Sequence, residues 1–137
     1  MRKKRSKNKE EMKVCLVGSS GGHLTHLYML KPFWENKKHF WVTFDKADAR
    51  SLLKGQKKYP CFFPTNRNIK NLSAVAVPFF YLGKLFGAKL IYIEVFDRID
   101  KPTMTGKLVY PIVDKFIVQW DEMKKVYPKA INLGSIF

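Results

Sequence analysis

Val14-Cys15-Leu16-Val17-Gly18-Ser19-Ser20-Gly21-Gly22-His23-Leu24 is a short apolar run, a loop of small residues, and then the start of a helical pattern. The run is long enough for a buried strand, and Leu24, Leu27, Tyr28, Met29 and Leu30 recur at helical spacing behind it. Glycines let the backbone turn sharply and approach a ligand closely. Helix amides and the positive end of the helix dipole at such a loop suit an anion such as a phosphate. Gly18-x-x-Gly21-Gly22 does not match the dinucleotide fingerprint, and no Gly-Lys-Ser/Thr follows at P-loop spacing. A plain structural strand-to-helix turn would produce the same residues.

Outward from this loop the chain alternates strands and helices. Lys13 to Val17 is the first expected strand, and Pro32 to Trp34 closes the following helix or continues it poorly. Phe40 to Phe44, Tyr59 to Phe63, Leu90 to Ile93 and Lys115 to Gln119 are further strands, rich in β-branched and aromatic residues. Helices are expected over Ala47 to Leu53, with Asp45 as its cap, over Pro78 to Phe86, over Thr103 to Tyr110, and as a turn or two over Asp121 to Val126. Ile69 to Leu72 starts a helix that does not continue. The alternation implies an α/β fold with a doubly wound, mostly parallel sheet, whose ligands sit outside the carboxyl ends of the strands. The loops at those ends are the glycine loop, Thr43 to Lys46, Thr65 to Asn68 and Glu94 to Arg98.

A length of 137 residues implies one domain, residues 13–137, behind a flexible basic tail over 1–12. The hydrophobic fraction of 46% excludes general disorder. The net charge of +15 favours polyanionic company: nucleic acid, an anionic membrane face or a phosphorylated substrate. The tail is either a solubilising terminus or an electrostatic anchor to anionic lipid. Cys15 and Cys61 form no metal or redox motif and are expected to be buried, reduced thiols. No secretory signal follows Met1, and Pro78, Lys84 and Lys89 interrupt the most apolar region, so membrane contact is expected to be peripheral.

Gly18-Ser-Ser-Gly-Gly-His23, Pro64-Thr-Asn-Arg-Asn68, Glu94-x-x-x-Arg98, Met104-Thr-Gly-Lys107, Leu108-x-Tyr-Pro111 and Phe116-Ile-Val-Gln-Trp120 occur in that order. Together they resemble the PssD/CpsF-type proteins of polysaccharide biosynthesis. Those are similar to the membrane-side subunit of the bipartite N-acetylglucosaminyltransferase of the dolichol pathway, and the glycine loop resembles that of MurG. The resemblance implies the Rossmann-like N-terminal half of a GT-B glycosyltransferase, standing as its own chain. It implies a second chain that binds the nucleotide-sugar, a lipid-linked diphosphate sugar as acceptor, no cofactor, and a peripheral place on the cytoplasmic face of the membrane in capsular or cell-surface polysaccharide synthesis. The family normally carries a helix and a strand between the equivalents of Leu72 and Ser73. Here about 11 helical and 5 strand residues are missing, which would leave neighbouring strands unpaired.

On this resemblance His23 is the candidate general base; otherwise it is a helix-start residue that orients the loop. Glu94, after an apolar strand, is the second candidate catalytic residue, or else a salt-bridge partner of Arg98. Gly18, Ser19, Ser20, Gly21, Gly22, Asn66 and Thr105 are candidate acceptor contacts. Arg67, Arg98 and Lys107 are candidates for the diphosphate, against the alternative of a solvated basic face. His23 and His26 lack a third metal ligand. Phe33, Trp34 and Trp41 suit a core or a partner interface better than a sugar platform. A basic nucleic-acid-binding module is the competing function, although no recognised module pattern is present. A stand-alone nucleotide-binding enzyme would need Asp45 on a ribose, behind the wrong loop fingerprint.

Overall fold

The computed structural model describes residues 12–19, 21–61 and 76–135. The basic tail up to Glu11, Ser20, the Pro64–Asn68 loop with Asn66 and Arg67, and the Leu72–Ser73 junction lie outside them. The chain divides into two compact units, residues 1–61 and 62–137.

The first unit is built from β1 (Lys13–Val17), α1 (Gly22–Met29), α2 (Lys31–Trp34), β2 (Lys38–Phe44), α3 (Ala47–Leu52) and β3 (Lys58–Cys61). Its strands form one parallel sheet in the order β1-β2-β3, with Leu16 opposite Trp41 and Val42 opposite Tyr59. Pro32 does not end the first helical segment but sits in the first turn of a new one, α2, where its missing N–H costs nothing. That second short helix brings Trp34 inward. Its indole donates to the Leu27 carbonyl at 3.0 Å and meets Trp41 edge-on at 5.2 Å between centroids. Leu16, Leu24, Trp34, Trp41, Ala49 and Leu53 make the core, so both tryptophans are structural, while Phe33 is exposed.

The second unit contains α4 (Ala76–Leu85), β4 (Ile91–Ile93), α5 (Met104–Val109), β5 (Lys115–Val118), a 3-10 helix (Asp121–Lys125) and β6 (Ile131–Asn132). Its parallel sheet runs β4-β5-β6, with Tyr92 opposite Phe116 and Ile117 opposite Ile131. Gly87, at φ 76°, turns the chain out of α4. The core is more aromatic than that of the first unit: Phe116 packs on Tyr92, Tyr110 and Tyr127 at 4.3–5.1 Å between centroids. The helical turn expected over Asp121 to Val126 is tightened to a 3-10 helix. The two-residue β6 is too short to leave a period-2 pattern.

The parallel α/β character is as expected, but the described strands form two three-stranded sheets rather than one. Among the described residues β1 and β4 are each an edge strand of their own sheet. Cys15, expected to be buried, is exposed on β1. Its thiol is still sufficiently desolvated that its pKa is pushed up to about 11.

Candidate functional site

In the first unit the glycine loop leaves β1 beside β2, and the Gly18 amide donates to the Val42 carbonyl at 3.1 Å. A Cβ on Gly18 would lie 2.9 Å from the end of the Leu27 side chain, so the loop packs closely on α1 and a larger residue there would make that side chain shift. Gly21 has φ 81° and ψ −142°, a conformation open to glycine and strained for other residues. Its amide donates to the Asp48 carboxylate at 2.6 Å. Gly22 and His23 open α1 and are exposed, whereas His26 is buried. The imidazole of His23 thus stands at the carboxyl end of a parallel strand, reachable from solvent.

Asp48 is the residue that inspection of the sequence missed. It lies in the first turn of α3, 27 positions from the amide it holds. Asp45, expected to cap α3, does not: Lys46 is at the N-cap, and Asp45 pairs with Arg50 at 3.2 Å.

In the second unit Glu94 follows β4 and is 1% exposed. Its Oε1 accepts from the Thr103 hydroxyl at 2.9 Å, the Val95 amide at 3.2 Å and the Tyr92 hydroxyl at 3.3 Å. Its Oε2 accepts from the Thr103 amide at 3.3 Å and from the shared Thr103 hydroxyl at 3.1 Å. Thr103 has one hydroxyl proton and gives it to Glu94, so its oxygen is left to accept. It does so from the Gly106 amide at 3.0 Å, which makes Thr103 the N-cap of α5. Tyr92 also has one proton, and it shares that proton between Glu94 Oε1 and the Thr103 oxygen 3.0 Å away.

Gly106 closes this arrangement. A Cβ there would come to 2.5 Å from Glu94 Oε2 and 2.9 Å from the Tyr127 hydroxyl. Among the described residues the buried Tyr127 oxygen has no hydrogen-bond partner. Burial, and after it the negative charge of Glu94, push the pKa values of Tyr92 and Tyr127 well above the ordinary tyrosine value. Glu94 forms no ion pair with Arg98 among the described residues. Arg98 is exposed after the turn closed by its own amide on the Val95 carbonyl. Lys107 is exposed on α5, and Thr105 is half-buried in its first turn. The structure thus gathers Gly18, Ser19, Gly21, Gly22 and His23 at one strand end, and Glu94, Arg98, Thr105 and Lys107 around another.

Residues 64–136 match the family model described as "Oligosaccharide biosynthesis protein Alg14 like". The chain belongs to this Alg14-like family. The matched stretch takes in β4, α5 and β5 with Glu94, Thr103 and Gly106, and this bears out the resemblance to the dolichol-pathway subunit. Among curated Alg14 relatives, the UDP-N-acetylglucosamine transferase subunit of Schizosaccharomyces pombe is 36% identical over 58 residues, 41% of this chain and 28% of the relative. The Saccharomyces cerevisiae subunit is 44% identical over 56 residues, 40% of this chain and 24% of the relative. The human one is 40% identical over 47 residues, 34% and 22% of the two chains. The chain thus spans about a quarter of the length of these Alg14 relatives. No solved structure matches it.

Proposed function

We propose that this chain is the acceptor-side subunit of a two-chain UDP-N-acetylglucosamine transferase. It binds a lipid-linked diphosphate sugar at the cytoplasmic face of a membrane and docks a second, donor-binding chain that completes a GT-B enzyme. The observation that carries this is the Alg14-like match over residues 64–136, with relatives named as subunits of such a transferase. The glycan setting, capsular or other cell-surface polysaccharide, follows from the PssD/CpsF resemblance; the sugar transferred follows from the relatives' names.

In this mechanism His23 takes the proton from the acceptor hydroxyl. The freed oxygen attacks the anomeric carbon of the donor sugar, the bond from that carbon to the β-phosphate oxygen breaks, and UDP leaves on the partner's side. Exposure of the imidazole at a strand end supports the role. Gly18, Ser19, Ser20, Gly21 and Gly22 cradle the acceptor. Asn66, Arg67, Arg98, Thr105 and Lys107 serve its diphosphate, since guanidinium and ammonium groups pair well with phosphate oxygens. Glu94 contributes from behind: with both oxygens engaged it positions Thr103, and through that cap the start of α5 with Thr105 and Lys107.

The test is an assay of the purified chain with UDP-N-acetylglucosamine and a lipid-diphosphate acceptor, with and without the donor-binding partner. The chain alone should transfer nothing. In the assembled enzyme His23→Ala should lower turnover by about 10²–10⁴-fold, the scale of acid–base catalysis, while association with the partner is kept. Turnover by the isolated chain would refute the two-chain reading, and full turnover by the assembled His23→Ala enzyme would remove the base. Tight, sequence-selective binding to RNA or DNA would instead favour the nucleic-acid module suggested by the charge of +15.

A further inference from the structure

The glycine loop carries an anion of the chain's own. The Gly21 amide donates to Asp48 Oδ2 at 2.6 Å, and both residues are exposed. Water can serve an exposed amide, so burial does not call for this carboxylate. The first amides of α1 open on the same end of the helix and have no carbonyl of their own helix to bond. A helix end of this kind favours negative charge, and α1 has no acidic residue in its first turn to supply it. Asp48 supplies it from α3, 27 positions along the chain.

The segment that presents the loop brings no cation. Val14 to Leu30 contains no Lys, Arg, Asp or Glu, in a chain with 26 basic residues among 137. Of the cations that flank Asp48 in sequence, Arg50 is held by Asp45 at 3.2 Å, and Lys46 is half-buried and engaged. A phosphate at a strand-to-helix loop draws on the positive helix end and on cationic side chains. Here the first is taken and the loop supplies none of the second. Room remains all the same: a Cβ on Gly21 or Gly22 would meet nothing within 4 Å.

We propose that Asp48 is the specificity-determining residue of this loop: it turns phosphate away, so that the loop receives the uncharged sugar of the lipid-linked acceptor and leaves the diphosphate to other groups. A sugar hydroxyl both donates and accepts, whereas phosphate oxygens mainly accept. A carboxylate beside helix amides offers an acceptor next to donors, a set that a hydroxyl satisfies and a phosphate does not. His23, the second residue of α1, then stands beside the hydroxyls from which a base must take its proton. The proposal deepens the transferase reading and rests on it.

Amide NMR of the full chain, titrated with inorganic pyrophosphate, reads the exclusion without any turnover. In the wild type the Gly18, Gly21 and Gly22 amides should keep their shifts. In Asp48→Asn they should move. Asp45→Asn makes the same change of net charge at a neighbouring exposed residue and should behave as wild type. The second measurement is the kinetics of the assembled enzyme with a lipid-diphosphate acceptor. Asp48→Asn should raise the acceptor KM about tenfold or more, the loss of a hydrogen bond to a charged group, with kcat little changed. Asp45→Asn should leave both constants as they are.

Loop amides that move with pyrophosphate in the wild type, or that stay still in Asp48→Asn, overturn the proposal. So does an acceptor KM that is level or lower in Asp48→Asn, because the carboxylate is then a placeholder that the diphosphate displaces. An equal fall in kcat and kcat/KM also overturns it, since Asp48 is then a clamp on the loop and not a selector. Absence of turnover in every form, with the pyrophosphate contrast intact, would refute the transferase reading and leave the exclusion of phosphate by Asp48 standing.

Discussion

β1 and β4 each open one of the two parallel sheets, and the segments leaving their carboxyl ends are opposite in character. After β1 comes an exposed loop of glycines and serines, held at Gly21 by the carboxylate of Asp48 from the next helix. After β4 comes a carboxylate taken into the core, with Thr103, Val95 and Tyr92 donating to it. One strand end keeps its polar groups exposed. The other uses them to fix the start of α5. The same topological position is thus open to solvent in one unit and part of the construction in the other, and the burial of the acid distinguishes the two better than its residue type does.

The sharpest way to break this contrast is to add one methyl group at each end. Gly106→Ala forces a carbon against Glu94 and the Tyr127 hydroxyl and should cost about 1–3 kcal/mol or more. Glu94→Ala, which strands several buried donors, should cost about 3 kcal/mol or more. Gly22→Ala meets no atom within 4 Å and should leave the melting temperature nearly unchanged. Thermal melts of the three variants check this. If Gly22→Ala were as damaging as Gly106→Ala, the loop would be construction too.

A smaller effect is expected at Asp48. Asp48→Asn keeps an acceptor near the Gly21 amide but removes the charge, so stability should fall by no more than about 1 kcal/mol. Affinity for pyrophosphate should rise several-fold, because an internal carboxylate no longer competes for the loop. Calorimetric titration reads this directly; unchanged or weaker pyrophosphate binding would show that the loop is not an anion cradle.

The smallest effect at neutral pH should come from Tyr127→Phe, which removes a buried hydroxyl that has no partner among the described residues. Its signature lies at alkaline pH. In the folded protein Tyr92 and Tyr127 hold their protons above the ordinary pKa of 10.0. From about pH 10 upward the unfolded chain therefore binds fewer protons than the folded one, and stability falls as pH rises. Tyr127→Phe should make that alkaline decline shallower, as measured by denaturant unfolding between pH 8 and 11. An unchanged slope would mean that the hydroxyl is not held protonated by its surroundings.

Local pattern was sufficient for much of the architecture. β1, α4 and α5 were legible from hydrophobic spacing, and the parallel α/β class from their alternation. The glycine loop and Glu94 were legible as strand-end residues. Features that depend on distant partners escaped. The grip of Asp48 on Gly21 spans 27 positions, and the bond of Glu94 to Thr103 spans nine. Asp45 satisfies the usual preference for a cap, but no local rule says that an arginine five residues on will take it. The division into two sheets is a matter of pairing, which residue order constrains only weakly when strands are parallel and their crossovers long.

Seen as a constraint on how this chain can vary, the glycine at 106 is tied to the acid at 94. The methyl that position 106 cannot accept is excluded mainly by the carboxylate and the phenol facing it. A descendant that shortened Glu94 and lost the Tyr127 hydroxyl would relieve both clashes and could tolerate alanine there. The methyl at 106 or the shortened acid made first is harmful and the combination is milder, so drift should carry these positions together or leave them all in place.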